Sequence, residues 1–153
     1  MISTTASSQS LSKSFLNEIV FCDSFNEVDS LLTGNKYSFE NSGTNEGNNY
    51  VIYKKRLPNF SGYIYVYQRP SVGGKAFDVL VVETNDKFFN ELKAEITHSK
   101  YFRSIGEEIQ TNKFIRRFCD GLSQYNFTIE NDINSGKLYS VFFQFSSYEC
   151  IKR

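Results

Sequence analysis

The chain of 153 residues contains no Trp, one Met, two Pro, one His and three Cys. Each shortage narrows what the protein can be. Because His98 is the only histidine, any Ser-His-Asp or Cys-His-Asn mechanism has to run through it. It follows an expected helix end and sits among Thr97, Ser99 and Lys100, where an exposed residue facing the helix dipole is the ordinary reading. Cys22, Cys119 and Cys150 form no CxxC pair and have no neighbouring histidine, so neither zinc nor a redox motif is expected. The odd count argues against a disulfide framework; Cys22 and Cys119 read as small buried hydrophobes and Cys150 as part of a tail.

No run approaches the roughly 20 apolar residues that a membrane-spanning helix needs, so no transmembrane segment is expected. Seventeen basic residues balance seventeen acidic ones, which leaves no global field to draw the chain onto nucleic acid or an anionic membrane. There is no phosphate-binding loop and no nucleophile elbow, and Gly73-Gly74 is adequately explained as a turn. The segment Glu40 to Asn49 lacks the Asp-x-Asp-x-Asp-Gly spacing of a calcium loop. Neighbouring carboxylates such as Glu107 with Glu108, or Asp23 with Asp29, fall on expected loops and helix faces, where a solvated charge is the usual state. No catalytic residue, cofactor or metal is therefore expected. The opening stretch, residues 1–10, is Ser/Thr-rich with neither a charged nor an apolar signal region. It reads as disordered, and the compartment stays open: cytoplasmic, or secreted or periplasmic if a leader was removed.

What the chain has in plenty is aromatic: fifteen Phe and ten Tyr. Aromatic residues favour pleated surfaces, and this length suffices to bury about two thirds of the unfolded surface in one domain. Residues 11–147 are expected to form that domain, and 148–153 a tail. Within it, Phe25-Asn-Glu-Val28 overlays Phe89-Asn-Glu-Leu92 at an offset of 64, and Tyr63, Tyr65 and Tyr67 overlay Tyr125, Phe127 and Ile129 at an offset of 62. Gly74-Lys75 likewise falls on Gly136-Lys137. Self-similarity at one period signals a duplicated supersecondary unit. The expected fold is α+β: a tandem duplication of a helix with three or four antiparallel strands, residues 24–84 and 85–147, with helices on one sheet face.

In chain order, Leu11, Phe15 and Ile19 recur at helical spacing and lead into an extended end. Ser24 with Glu27 is a capping-box pattern ahead of the stripe Phe25, Val28 and Leu32, and Gly34-Asn35 ends that helix. Tyr37 and Phe39 suggest a short strand, 40–49 an exposed loop, and 50–57, 63–69 and 76–83 three strands parted by turns. Asn85 or Asp86 caps the stripe Phe88, Phe89, Leu92 and Ile96. An edge strand at 101–105, a loop at 106–112 and strands at 113–119, 124–130 and 138–145 follow. The face away from the helices is expected to be apolar in the first unit, with Ile64, Val66, Leu80 and Val82, and polar in the second, with Asn126, Thr128, Ser140 and Gln144. A covered first face and a wet second one would follow, the cover being the N-terminal segment or a partner.

Two basic clusters stand at nearly corresponding places: Lys54, Lys55 and Arg56, and Lys113, Arg116 and Arg117. They could clamp a phosphate backbone, or simply guard strand edges against aggregation. In architecture alone, tandem helix-plus-four-strand units resemble the β-lactamase inhibitory proteins, and the resemblance implies a sheet surface presented to a partner. The reading that follows is a non-enzymatic protein-binding module of inhibitor, immunity or envelope-accessory type. Its candidate binding residues are Tyr63, Tyr65, Tyr67 and the two basic clusters, with the loops 40–49 and 106–112 beside them. The alternatives are a nucleic-acid-binding protein that uses the basic clusters, and an enzyme with an unrecognised site.

Overall fold

The computed structural model describes residues 11–57, 60–69, 76–134, 136–145, 147 and 150. The expected disordered start, the turn at 70–74 and most of the tail lie outside the described residues, as does the side chain of Arg56. The elements in chain order are α1 Lys13–Val20, α2 Phe25–Gly34, β1 Ser38–Asn45, β2 Asn48–Leu57, β3 Phe60–Arg69 and β4 Ala76–Glu83. Then come α3 Lys87–Thr97, β5 Phe102–Ile109, β6 Lys113–Asp120, β7 Ser123–Asp132 and β8 Gly136–Gln144.

All strands belong to one antiparallel sheet of order β1-β2-β3-β4-β8-β7-β6-β5. This overturns the expected α+β tandem duplication: the described chain is mostly strand, one eight-stranded sheet with three short helices. The registers show why the overlay misled. It places Tyr63 on Tyr125, yet Tyr63 projects half-buried from one face while Tyr125, at 0% exposure, lies in the core on the other. An alternation matched one residue out of phase reverses every side chain. The segments expected as loops are strands as well. Residues 38–45 and 48–57 form a hairpin whose central Glu46 and Gly47 both adopt positive φ, as a two-residue turn between twisted strands requires. β5 continues through Gly106 by way of a bulge between Ser104 and Gly106.

Local rules hold better. Ser24 Oγ accepts from Glu27 N–H at 3.3 Å as the capping pattern predicts, while Glu27 Oε2 reaches one residue past the cap to accept from Asp23 N–H at 2.8 Å. At the other end of α2, Lys36 rather than Gly34 or Asn35 takes the left-handed backbone. The N-terminal segment is helical at 13–20, capped by Ser12, with Phe15, Leu16, Ile19 and Val20 buried.

One hydrophobic core draws on all three helices and on strands from both halves of the sheet: Ile19, Val28, Leu32, Leu92 and Ile96 share it with Tyr53, Ile64, Val79, Phe127, Val141 and Phe143. The face of the sheet that carries these strand residues is the inner face. Polar anchors join helices to sheet: Lys13 Nζ pairs with Asp120, Ser99 Oγ donates to Asp120, and Tyr53 Oη donates to Asp29 at 2.6 Å. Because α1 lies with this core, it does not cover the opposite, outer face. Ile64 and Val66, expected outward, are fully buried on the inner face.

Candidate functional interface

Strand register fixes what the outer face displays, since every second residue of a strand shares a face. Three transverse rows of cross-strand partners run over it. The first joins Tyr50, Tyr67, Asp78, Gln144, Gln124, Cys119 and Arg103. The second joins Ile52, Tyr65, Leu80, Phe142, Asn126 and Arg117. The third joins Lys54, Tyr63, Val82, Ser140, Thr128 and Ile115. On β2, β3, β4 and β8 the rows carry Tyr50, Ile52, Tyr63, Tyr65, Tyr67, Leu80, Val82 and Phe142, all half-buried, beside Lys54, Ser140, Gln144 and a buried Asp78.

The tyrosines make a ladder along β3. Ring centroids of Tyr63 and Tyr65 are 6.4 Å apart, those of Tyr65 and Tyr67 also 6.4 Å and nearly parallel, and Tyr50 adds a fourth ring 6.0 Å from Tyr67. Gly43 lets Tyr50 lie down: a Cβ there would fall 2.7 Å from the Tyr50 hydroxyl oxygen. Burial, and then the neighbouring phenols, push the Tyr65 and Tyr67 hydroxyls above their ordinary pKa. They therefore remain neutral hydrogen-bonding groups on an apolar support, a combination suited to interfaces. Lys54 Nζ lies 5.0 Å above the Tyr63 ring.

The rest of the outer face is closed differently. Arg69 Nε stands 3.7 Å from Asp78 Oδ1 and Gln144 Nε2 donates to Asp78 Oδ2 at 3.3 Å; burial raises the Asp78 carboxyl, and both neighbours oppose the rise. Gln124 Nε2 donates to Asn126 Oδ1 at 3.0 Å. Beyond them Cys119 of β6 is disulfide-bonded to Cys150. That bond corrects the expectation that Cys119 is an unpaired buried thiol and that no disulfide forms, and leaves Cys22 as the free cysteine.

The expected basic clusters do not form a joint site. Lys54 faces outward, but Lys55 lies on the inner side, its Nζ 4.9 Å above the Tyr37 ring. Lys113 is 3.6 Å from Glu130, Arg116 pairs with Glu107, and Arg117 is 2.7 Å from Glu108. Four strands separate β2 from β6, which at about 4.8 Å per strand puts the clusters roughly 24 Å apart. Lys113 and Arg117 project from the same outer face as Lys54 and the tyrosines, whereas Lys55 and Arg116 lie on the inner side. Five members of the face, Tyr50, Ile52, Leu80, Val82 and Phe142, were not singled out from sequence as binding residues. Alternation in β2, β4 and β8 carried that signal, but the phase could be assigned only once register was known.

Nothing described gathers into a reactive centre. His98 caps α3 at the surface, with Nδ1 2.6 Å from Ala94 O. An open groove of about 490 Å³ between α1 and α2 is lined by Ser14, Asn17, Glu18, Phe21, Cys22, Glu27 and Leu31. Burial, and then Glu27, Asp23 and Glu18, hold the Cys22 thiol above its ordinary pKa, the reverse of an activated nucleophile. Among the described residues no three His, Cys, Asp or Glu side chains converge as metal ligands, and no helix is long and apolar enough to cross a membrane. No family model, no curated protein and no solved structure matches the chain, so the architectural resemblance seen in the sequence gains no support.

Proposed function

We propose that this chain is a non-enzymatic binding protein of inhibitor, immunity or envelope-accessory type, which holds another protein against the outer face of its sheet. The observation that carries the reading is the four-ring tyrosine array with Ile52, Leu80, Val82 and Phe142 beside it, half-exposed and free of any covering element among the described residues. Open strand edges are the other usual docking route, and here both edge strands are bulged, β1 between Phe39 and Asn41 and β5 between Ser104 and Gly106. That leaves the face. Lys54 has no ion-pair partner among the described residues, whereas Arg69, Arg117 and Lys113 each have one. The partner surface is accordingly apolar, with a carboxylate placed to meet Lys54.

The test is capture of the cognate protein from the source cells by the full chain, by Tyr65→Ala and by Thr128→Ala. A central aromatic anchor that fits a pocket is worth at least about tenfold in affinity, so Tyr65→Ala loses the captured protein while Thr128→Ala retains it. Equal capture by all three forms removes the outer face from the reading. A dimer in light scattering that Tyr65→Ala dissolves would give the face to a second copy of this chain.

A further inference from the structure

We propose that Cys119 and Cys150 are an oxidative maturation site: a dithiol–disulfide carrier protein joins them as the chain folds in an oxidising compartment, and the bond builds the wall that closes one end of the outer face. Cys119 is an outward position of β6, aligned with Arg103 and Gln124, and its Cα lies 5.5 Å from that of Cys150, within the range of a natural disulfide. Ser147 and Cys150 are also held by hydrogen bonds. Ser147 N–H donates to Leu122 O at 3.1 Å, Cys150 N–H to Ser147 O at 3.0 Å, Ser147 Oγ to Gln124 Oε1, and Arg103 Nη2 to Cys150 O. If Ser147 and Cys150 lifted, Gln124 and Arg103 would lose these partners and Cys119 its bonded neighbour.

Timing follows from burial. Cys119 is 0% exposed and Cys150 3% exposed, so in the folded chain neither sulfur is open to a soluble thiol or oxidant. The bond therefore forms before the wall closes, in a compartment that supplies an oxidant at that moment, and once formed it persists. One cysteine thiolate attacks the carrier's disulfide, forming a mixed disulfide and releasing one carrier thiol. The second cysteine thiolate then displaces the other carrier sulfur. Two chain thiols have given up two electrons and two protons, and the carrier leaves as a dithiol. Cys22 does not compete, because it lies on the α1–α2 connection packed against the core, and burial, then three carboxylates, disfavour its thiolate.

The proposal stands apart from the binding reading, since thiols can be counted with no partner present. The full chain is produced in a bacterial host twice, once directed to the periplasm and once retained in the cytosol, then alkylated under denaturing conditions and mapped by mass spectrometry. The periplasmic chain is expected to show one alkylated cysteine, Cys22, and a linked Cys119–Cys150 peptide; the cytosolic chain, three alkylated cysteines. Closing a loop of 31 residues predicts that the reduced chain melts roughly 10 °C lower. Hydrogen exchange at Ser147 and Cys150 is expected to lose protection with it. Three free thiols in the periplasmic chain, a Cys22 linkage, or a reduced chain of unchanged melting temperature and protection would each overturn the proposal. The variant Cys119→Ala with Cys150→Ala separates loss of the bond from any failure to fold, and is expected to melt where the reduced chain does.

Discussion

The outer face is two surfaces built on one sheet. Where β2, β3 and β4 meet β8, most outward positions are Tyr, Ile, Leu, Val and Phe, beside Lys54, Asp78, Ser140 and Gln144. Across β7, β6 and β5 the same pleat positions hold Asn126, Thr128, Ile115 and Arg117, and there Arg117 meets Glu108, Asn126 accepts from Gln124, and Cys119 is bonded to Cys150. Pleat geometry is common to both halves, so the difference lies in what was placed on it. One half is satisfied as it stands, and the other has apolar area in water that only a second surface can remove. Were the closed half simply the more stable one, the open half would have no bearing on recognition.

The largest effect is expected beneath the comparison, where both halves share a core. Phe143 of β8 is fully buried and stacks 4.9 Å from Tyr125 of β7, while its strand pairs with β4 on the other side. Phe143→Ala is expected to cost about 3–5 kcal/mol. Urea unfolding followed by circular dichroism and by tyrosine fluorescence should shift as one transition. Two separated transitions would mean that the halves fold independently, and the outer face would then be two surfaces on two bodies.

Much of the inner face was legible in the sequence because helices announce themselves locally. Ser24 with Glu27, and the stripes Phe15-Ile19 and Phe89-Leu92-Ile96, need no knowledge of distant residues to be read. The sheet was less legible. Residues 38–45 are exposed along almost their whole length, so an edge strand there lacks the apolar alternation that marks one, and composition rich in Asn, Ser and Gly imitates a loop. β3 misled in another way: Tyr63, Tyr65 and Tyr67 alternate with Ile64 and Val66, and with apolar side chains on both sides the core phase is undetermined until partners are known. The disulfide was illegible for a related reason, because Cys119 and Cys150 stand 31 residues apart and no local pattern pairs them.

A smaller effect distinguishes the halves by charge. Glu107, Glu108 and Glu130 each meet a cation, whereas Glu83, at the end of β4, is 7% exposed and has no ion pair among the described residues. Burial pushes its carboxyl up to about 7, and Lys55 only partly opposes this. A carboxyl with a raised folded-state pKa binds more protons folded than unfolded, so its contribution is complete below the unfolded value near 4.5 and is lost as pH rises towards 7. At about 1.4 kcal/mol per unit, the loss is on the order of 2–3 kcal/mol across that window. Glu83→Gln should flatten the dependence between pH 5 and 7. An unchanged slope in thermal melts across that range would assign it to another group.

The smallest effect is expected on the closed half. Lys113 and Glu130 are directly opposed across β6 and β7, 3.6 Å apart, and about a third of each side chain is exposed. Surface pairs of this kind contribute about 0–1 kcal/mol, so Lys113→Gln should shift the melting temperature by no more than about 3 °C. The same substitution bears on the nucleic-acid alternative. A protein that neutralised phosphates with Lys113, Arg116 and Arg117 would bind DNA or RNA more tightly as salt falls, and would lose part of that salt slope in the variant. Here each of the three cations already faces a carboxylate on its own sheet, and a phosphate would have to displace it. The expected result is no salt-dependent binding by either form, with capture through Tyr65 unchanged. A salt slope that falls when Lys113 is replaced would make the closed half the working surface and reverse the comparison.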